Sequence, residues 1–333
     1  MTIITRKVVK TISKYNKIYE YYTSGGKKIT DKESLDYIKS LKIPPAYENV
    51  KIDMNRNAKL LVVGYDVKGK KQYMYSSKWV EQRTQKKFCN MIEFGKKLGI
   101  ITKDIDAAIK EREFTKEKLI AIILKIIMIC HFRIGNTIGK DVYDSYGVST
   151  INRSHIKNAG KNVVIEFVGK KGVINICKVV NPDMIRILNE LRDRTKNNKD
   201  QIFYYFDKAT KKKINVSSCD VNNFLKKYGN FSSKDFRTWF ANMYFIDEVI
   251  SFGNIPVSLT DRKKYANLAI EKAANSLHHT VAISKKKYIN MNLIEMYIES
   301  PTKFKNIIVK NYKINGKLNP ASNAFIEYLK KYC

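Results

Sequence analysis

The chain has 333 residues, of which 44% are hydrophobic, so it can bury one large or two ordinary cores and is not a disordered basic tail. Lysine and arginine total 63 against 31 acidic residues, which gives a formal net charge of +32. Such a charge concentrates polyanions at the protein surface, so nucleic acid is the first expected partner, ahead of an acidic membrane. An AT-rich coding genome explains part of the lysine excess, but it does not explain the shortage of acids.

The first eighty residues are predicted to form a small, mostly β domain. The runs IYEYYT, KLLVVGYDV and KKQYMYSS are rich in β-branched and aromatic residues, and a turn that contains Gly69 separates the last two. Thr30 and Glu33 form a capping box for a helix over SLDYIKSLK, which Pro44 and Pro45 end.

From Trp79 onward the pattern becomes helical. Apolar residues recur every three or four positions in WVEQRTQKKFCNMIEFGKKL and again in EKLIAIILKIIMICHF. This change places a domain boundary near residues 76–84 and predicts domains over 1–80 and 81–333. Between about 147 and 180, the runs GVSTINRSHI, KNVVIEF and GVINICKVV predict three strands, the last two joined by a tight turn over residues 168–172.

After Pro182 the sequence is helical again. Ser232 or Ser233 is predicted to cap KDFRTWFANMYFIDEVI, Thr260 to cap a helix that runs to Leu277, and Ser284 to open SKKKYINMNLIEMYIES. The expected fold is therefore α+β, with a small β-rich domain followed by a larger, mainly helical domain that contains a small three-stranded sheet.

Neither the cysteines nor the apolar runs indicate export or a membrane. The five cysteines are scattered and form no C-x-x-C pair, so the sequence predicts no disulfide framework and no zinc site, and it indicates a reducing compartment. MTIITRKVVK lacks the apolar core of a signal peptide, and the run over 119–130 is too short for a membrane span and contains Lys125. We expect a soluble protein.

Three basic residues are candidates for chemistry. Arg133 follows an apolar helix in HFRIGN, where Gly135 is a predicted helix stop, although an arginine at a helix end is ordinary by itself. Lys170 lies at the tip of a hairpin, where its amine can reach a bound ligand. Arg237 lies among aromatic residues early in a helix and needs an anionic partner, which Asp235 could supply.

A histidine and a tyrosine complete the set. His279 and Tyr288 are nine residues apart, and a helix that starts at Ser284 would place the tyrosine near a helix N-terminus, which favours an anion. Together the five residues supply a hydroxyl nucleophile, three donors for phosphate oxygens and an amine that can protonate a leaving oxygen. They could break a phosphodiester without metal or another cofactor, because the arginine pair neutralises the charge that a divalent ion would otherwise hold.

These residues lie in a recognisable order. Arg133 is followed by FVGK ending at Lys170, KDFR ending at Arg237, and HTVAISKKKY from His279 to Tyr288, and the first domain contains GYDVKGKKQYMYSSKWVEQR. In order and in local sequence, over essentially its whole length, the chain resembles the poxvirus type IB DNA topoisomerases.

The resemblance implies a role for each residue. Tyr288 would attack a DNA phosphate to form a 3′-phosphotyrosine bond, while Arg133 and Arg237 clamp that phosphate and His279 donates to one of its oxygens. Lys170 would be the general acid. It also implies a monomer that acts on double-stranded DNA as a C-shaped clamp without ATP, an obligate protein partner or a membrane, in the virion and the host cytoplasm.

The first domain would contribute DNA contacts. Gln72, Tyr73 and Tyr75 match family positions that touch DNA, and Lys70 and Lys71 stand beside them. The two tyrosines alternate onto one face of a strand, from which they can reach bases or phosphates. The alternative is an amphipathic hairpin whose tyrosines pack on a helix.

The chain departs from the family pattern at three positions. Lys171 stands where relatives tend to have an acid, so Lys170 and Lys171 compete for the role of acid, with the preceding Val-Gly favouring Lys170. His278 replaces a common glycine and is a possible surrogate for His279. Asn136 replaces a lysine, which should remove a phosphate contact and loosen any sequence preference.

Two other functions remain open. A tyrosine recombinase or integrase uses the same nucleophile and clamps, but its second arginine generally lies in H-x-x-R, whereas this chain has KDFR over 234–237. A non-catalytic, lysine-rich DNA-packaging protein would need only the charge, with the ordered residues present by accident.

Overall fold

The computed structural model describes residues 3–13, 17–315 and 318–333. Its contacts divide the chain into two compact units, Met1–Lys87 and Phe88–Cys333. This division and the boundary expected after residue 80 both fall within one long helix over Ser77–Ile109.

The first unit is built on an antiparallel sheet. Its strands are β1 (Ile3–Thr11), β2 (Lys17–Thr23), β3 (Glu48–Asp53), β4 (Leu60–Tyr65) and β5 (Lys71–Tyr75). They are ordered β2-β1-β3-β4-β5, so β5 is an edge strand. Helix α1 (Lys32–Ser40) buries Ile38 in one core with Ile4, Val50, Ile52 and Val62.

The second unit is mainly helical. Its helices are α2 (Ser77–Ile109, which begins in the first unit), α3 (Lys116–Cys130), α4 (Thr137–Tyr143), α5 (Pro182–Asp193), α6 (Ser218–Lys226), α7 (Ser233–Ser251), α8 (Leu259–Ser276), α9 (Val281–Lys287), α10 (Met291–Glu299), α11 (Pro301–Phe304) and α12 (Pro320–Tyr332). A π-helical turn over Lys305–Val309 follows α11. Helix α3 is buried almost all round, because its apolar residues cover every face.

A small antiparallel sheet is set among these helices. Strands β6 (Ile156–Ala159), β7 (Asn162–Val168) and β8 (Ile174–Val179) pair in that order, and a separate hairpin joins β9 (Tyr204–Phe206) to β10 (Lys213–Asn215). The expected fold class is confirmed. The strand predicted over GVSTINRSHI is wrong for most of its length, because residues 148–150 and 153–155 form short 3-10 helices.

Helix starts were predicted with mixed success. Ser232 is the N-cap of α7, as expected. Helix α1 begins after Asp31 rather than Thr30, since the Ser34 N–H donates to the Asp31 carboxylate at 2.8 Å. Helix α8 begins after Ser258 rather than Thr260. In both cases another capping residue within two positions of the predicted one accepts the amide hydrogen bond.

The cysteines correct the expectation of no disulfides. Cys89 is bonded to Cys333 and Cys130 to Cys177, whereas Cys219 is free and exposed. The partners are 244 and 47 residues apart, so their pairing depends on the fold and left no local motif. Among the described residues, no helix is both long and apolar enough to cross a membrane.

Candidate active site

Arg237 is the fifth residue of α7, and its neighbours Phe236 and Trp239 are buried. Its predicted partner Asp235 is used elsewhere, because the N–H and Oγ of Ser232 donate to the Asp235 carboxylate at 2.8 and 2.9 Å. Instead, Nη2 of Arg237 donates to the Leu277 carbonyl at 2.7 Å. The arginine is therefore tied to the end of α8 rather than paired with an acid.

The guanidinium of Arg237 still has unused donors. The residue is only 2% exposed, and its Nε and Nη1 meet no hydrogen-bond partner among the described residues. Burial lowers its pKa to about 10, so it remains charged at neutral pH. Buried donors on a cation are costly to leave unsatisfied, and a bound anion would satisfy them.

Tyr288 lies directly after α9, with its backbone N–H donating to the Ser284 carbonyl at 3.0 Å. The prediction that Ser284 opens this helix is wrong: Thr280 caps α9 by accepting from the Ile283 N–H at 3.3 Å, and Ser284 is buried within it. Tyr288 therefore lies at the C-terminal end of a helix. Its charge environment comes from arginines instead of a helix N-terminus.

The phenol of Tyr288 is enclosed by two other candidate residues. It is 7% exposed, the guanidinium carbon of Arg237 lies 5.4 Å from its ring centroid, and the His279 ring stacks on it with centroids 4.6 Å apart. Burial alone would raise the pKa of this phenol, but the charges of Arg237, Arg133 and Lys234, with the polar interaction of Arg237 with the phenol, together outweigh burial, and the net pKa lies below its ordinary value of 10.0. The site thus favours the phenolate.

His279 completes the buried group. Both of its ring nitrogens are buried without a hydrogen-bond partner among the described residues. Burial, with the charges of Arg237 and Arg133, lowers its pKa to about 3, so the imidazole is neutral at pH 7 and offers one N–H donor.

Arg133 is held beside this group by its backbone. Helix α3 ends where His131 adopts the left-handed region at φ 54°, so the predicted stop at Gly135 is wrong. The Arg133 carbonyl accepts from the Val148 N–H at 2.9 Å. Gly135 instead meets Gly147 so closely that a Cβ on it would lie 2.8 Å from the Gly147 backbone. The charge of Arg133 lowers the pKa of both Tyr288 and His279.

His278 faces a different group from His279. Its φ of 54° lies in the region that favours glycine, which fits the residue expected there from the family pattern. Its Nε2 lies 3.1 Å from the Cys130 carbonyl and its ring contacts Phe132. The structure therefore stacks His279 on Tyr288, and His278 contacts the end of α3.

Asn242 is a residue of this site that no motif predicted. It is fully buried in α7, where its Nδ2 donates to the Tyr288 carbonyl at 3.0 Å and its Oδ1 accepts from the Asn290 N–H at 2.9 Å. Asn242 thus holds the backbone that directly follows Tyr288 against the helix that carries Arg237. A buried polar residue five positions after Arg237 was the only available signal.

Lys170 is not part of the buried group. It is exposed in the turn between β7 and β8, and it makes no hydrogen bond, ion pair or ring contact with any described residue. Lys171 is equally exposed but adopts a φ of 66°. Asn136 caps α4 by accepting from the Gly139 N–H at 2.7 Å, so its side chain is already engaged.

The predicted DNA-contact residues line the edge strand of the first unit. Tyr73 is 48% exposed and its ring lies beside that of Tyr75, while Gln72 donates to Asp66 at 2.8 Å. Lys71 reaches over the Tyr73 ring, and Lys70 lies in the preceding turn. Three neighbours that no motif predicted extend this stack: Tyr75 stacks on Trp79 at 4.2 Å, and Lys59 and Arg83 both lie over the Trp79 ring.

The chain is strongly basic, and its buried tyrosine contacts donors that are free to bind an anion. These features are those of an enzyme that acts on DNA. Residues 76–312, more than half of the chain, match the family model described as eukaryotic DNA topoisomerase I, catalytic core, and residues 18–66 match the bacterial DNA topoisomerase IB N-terminal domain. The chain belongs to the type IB DNA topoisomerases.

Its relatives include viral enzymes. The chain is 28% identical over 302 residues to DNA topoisomerase 1B of Acanthamoeba polyphaga mimivirus, covering 87% of each chain. It is 26% identical over 238 residues to DNA topoisomerase 1B of vaccinia virus (strain Copenhagen), covering 72% of each.

Proposed function

We propose that the protein relaxes supercoiled double-stranded DNA through a transient break in one strand, with Tyr288 as the nucleophile. The observation that supports this most is the buried contact of Tyr288 with Arg237 and His279, whose remaining donors lack partners in the described part of the chain. A DNA phosphate would meet those donors at the place where the phenol pKa is lowered.

The chemical step exchanges one phosphate ester for another. The Tyr288 phenol gives its proton to solvent and its oxygen forms a bond to the scissile phosphorus, while the bond from phosphorus to the 5′ oxygen breaks. That oxygen takes a proton from the ammonium of Lys170 and leaves as a 5′-hydroxyl, and the 3′ phosphate stays on the tyrosine. Religation is the reverse, so the bond energy is conserved and no ATP is consumed.

The clamping residues act on charge that develops during attack. Arg133 and Arg237 would bind the nonbridging oxygens, and neutral His279 would donate one hydrogen bond to them. Each preorganised donor of this kind contributes roughly a hundredfold to a thousandfold in rate. Since these groups are fixed before DNA binds, little reorganisation is needed at the moment of reaction.

The first unit would hold the duplex. The stack of Tyr73, Tyr75 and Trp79, with lysines and an arginine over its rings, fits contacts to bases and phosphates. The protein would act on the duplex as a monomer.

Plasmid relaxation in EDTA without ATP tests this function. The wild-type protein should produce a ladder of topoisomers, and Tyr288→Phe should lose both relaxation and the covalent adduct while it still binds duplex. Tyr332→Phe, at an exposed tyrosine near the C-terminal end of α12, is the matched control and should behave as wild type. An adduct in Tyr288→Phe would identify another nucleophile, and strand exchange between paired sites without relaxation would favour a recombinase.

A further inference from the structure

We infer that Asn175 is a positioning residue for Lys170, because it fixes the turn from which that lysine projects. This inference rests on the proposed function of Lys170 as the general acid. It concerns a candidate that lies in an exposed turn, outside the buried group of Arg237, His279 and Tyr288.

Asn175 is an amide at a core position of a strand. It lies on β8 opposite Phe167 of β7, and it is 2% exposed. Val179, on the same face of β8, is apolar and buried, as the alternation of a half-buried strand requires. An amide is costly at such a position unless it makes hydrogen bonds, so its partner indicates its role.

The partner of Asn175 is the backbone of the turn. Its Nδ2 donates to the Val173 carbonyl at 2.9 Å, and the same carbonyl accepts from the Gly169 N–H at 2.7 Å. The Gly172 N–H donates back to the Gly169 carbonyl at 3.1 Å. These three bonds close the turn on both sides of Lys170.

Gly169 and Asn175 also interlock by shape. A Cβ on Gly169 would lie 2.3 Å from Nδ2 of Asn175, closer than atoms can approach. The φ of Gly169 is −98°, which any residue can adopt, so its backbone conformation does not require glycine. The close approach of Asn175 does require it. Gly169, which directly precedes Lys170, therefore packs against the Asn175 side-chain amide.

The position of this turn decides what Lys170 can reach. The Lys170 side chain is exposed and contacts no described residue, so only its backbone determines where the flexible side chain starts. General acid catalysis needs the amine within hydrogen-bond reach of the leaving oxygen. A displacement of the turn would reduce protonation of that oxygen and leave the attack by Tyr288 intact.

The experiment compares two leaving groups in single-turnover cleavage. One duplex has the ordinary 5′ oxygen at the scissile bond, and the other has a bridging 5′ sulfur, which leaves as a thiolate and needs no proton. Asn175→Ala and the volume-conserving Asn175→Leu should slow cleavage of the oxygen substrate by roughly tenfold to a hundredfold. Both should cleave the sulfur substrate at the wild-type rate.

Two further variants attack the contact differently. Gly169→Ala would displace the Asn175 amide from the other side, so it should show the same dependence on the leaving group. Ile176→Ala is the control, since Ile176 is the next residue on β8 but points to the opposite face and is 53% exposed. It should leave both rates unchanged, and thermal melting checks that each variant is folded.

Lys170→Ala separates this inference from the proposed function. Rescue of Lys170→Ala by sulfur supports its role as the acid. If the Asn175 variants are then slowed equally on both substrates, or on neither, Asn175 does not position the acid and the inference is overturned while the proposed function stands. Absence of rescue in Lys170→Ala would remove the acid role itself, and the inference with it.

Discussion

At the scale of single residues, Asn242 has a function that can be separated from the catalytic groups. Its side chain makes no hydrogen bond to the side chains of Arg237, His279 or Tyr288, yet it bonds to the backbone at residues 288 and 290. The phenolic oxygen of Tyr288 must approach phosphorus in line with the leaving oxygen. A small displacement of the Tyr288 backbone should therefore lower the cleavage rate.

We predict that Asn242→Ala slows cleavage and destabilises the fold. The substitution leaves the Tyr288 carbonyl and the Asn290 N–H buried without this partner, which should lower the free energy of unfolding by about 1–3 kcal/mol. Denaturant unfolding and single-turnover cleavage measure the two effects. Asn275→Ala, at an exposed asparagine of α8, should change neither. A folded Asn242→Ala that cleaves at the wild-type rate would contradict the prediction.

The residues predicted from sequence differ in how far the structure brings them together. Arg237, His279 and Tyr288 meet in one buried group. The sequence indicated burial only for Arg237, through its aromatic neighbours, and linked His279 to Tyr288 only by their short spacing. Lys170 lies in an exposed turn, as its predicted position at a hairpin tip implies. Asn242 was missed because the hydrogen bonds that define it join residues 46 and 48 positions apart.

At the scale of elements, the Cys130–Cys177 disulfide joins the end of α3 to β8. Arg133 follows the first of these elements, and the Lys170 turn precedes the second. In the chain-entropy account, closing a loop of this length stabilises the fold by roughly 2–4 kcal/mol, because the unfolded chain loses freedom. The bond therefore links stability to redox conditions.

We predict that reduction lowers the melting temperature, and that Cys130→Ala with Cys177→Ala reproduces part of the loss, because reduction also opens the Cys89–Cys333 bond. Thiol titration of the unreduced, denatured protein should find one reactive cysteine, Cys219. Cys219→Ala is the control and should leave the melting temperature unchanged. Five reactive thiols and a melting temperature insensitive to reductant would show that the bonds do not form.

Elements were predictable where a local pattern was strong. The hairpins β4–β5 and β7–β8 were expected from β-branched runs on either side of a glycine turn, and both are confirmed. Strand β3 carries three charged residues in six, and β9 and β10 have only three residues each, so pairing partners rather than propensity define them.

At the scale of the whole molecule, all four histidines share one titration behaviour. Burial lowers the pKa of His131 and His155 to about 4 and, with the nearby arginines, that of His279 to about 3; the pKa of His278 is also lowered. In the unfolded chain they titrate near 6.5. As pH falls below that value, the histidines of the unfolded state bind protons while those of the folded state stay neutral. Their contribution to the free energy of unfolding is therefore complete above pH 6.5 and is lost as the pH falls toward 4.

We therefore predict a falling free energy of unfolding between pH 6.5 and about 4, by up to about 1.4 kcal/mol per pH unit for each histidine. Denaturant unfolding at several pH values measures the slope. His155→Gln removes one such group and should flatten the curve without touching the buried group at Tyr288. A stability that is constant from pH 7 to pH 5 would contradict this account.

The net charge of +32 acts on DNA only where lysines reach phosphates, because exposed charges are screened beyond about 8 Å at physiological salt. We predict that log affinity for duplex falls with log salt at roughly −0.9 per phosphate neutralised. Lys70→Gln and Lys71→Gln should each make the slope shallower by roughly one unit, because each removes one contact from the edge of β5.

Lys330→Gln is the matched control, since Lys330 pairs with Glu327 at 2.7 Å on α12. Equal slopes in all three variants would place the phosphate contacts away from the β4–β5 hairpin, and a flat response in the wild type would mean that charge does not drive binding.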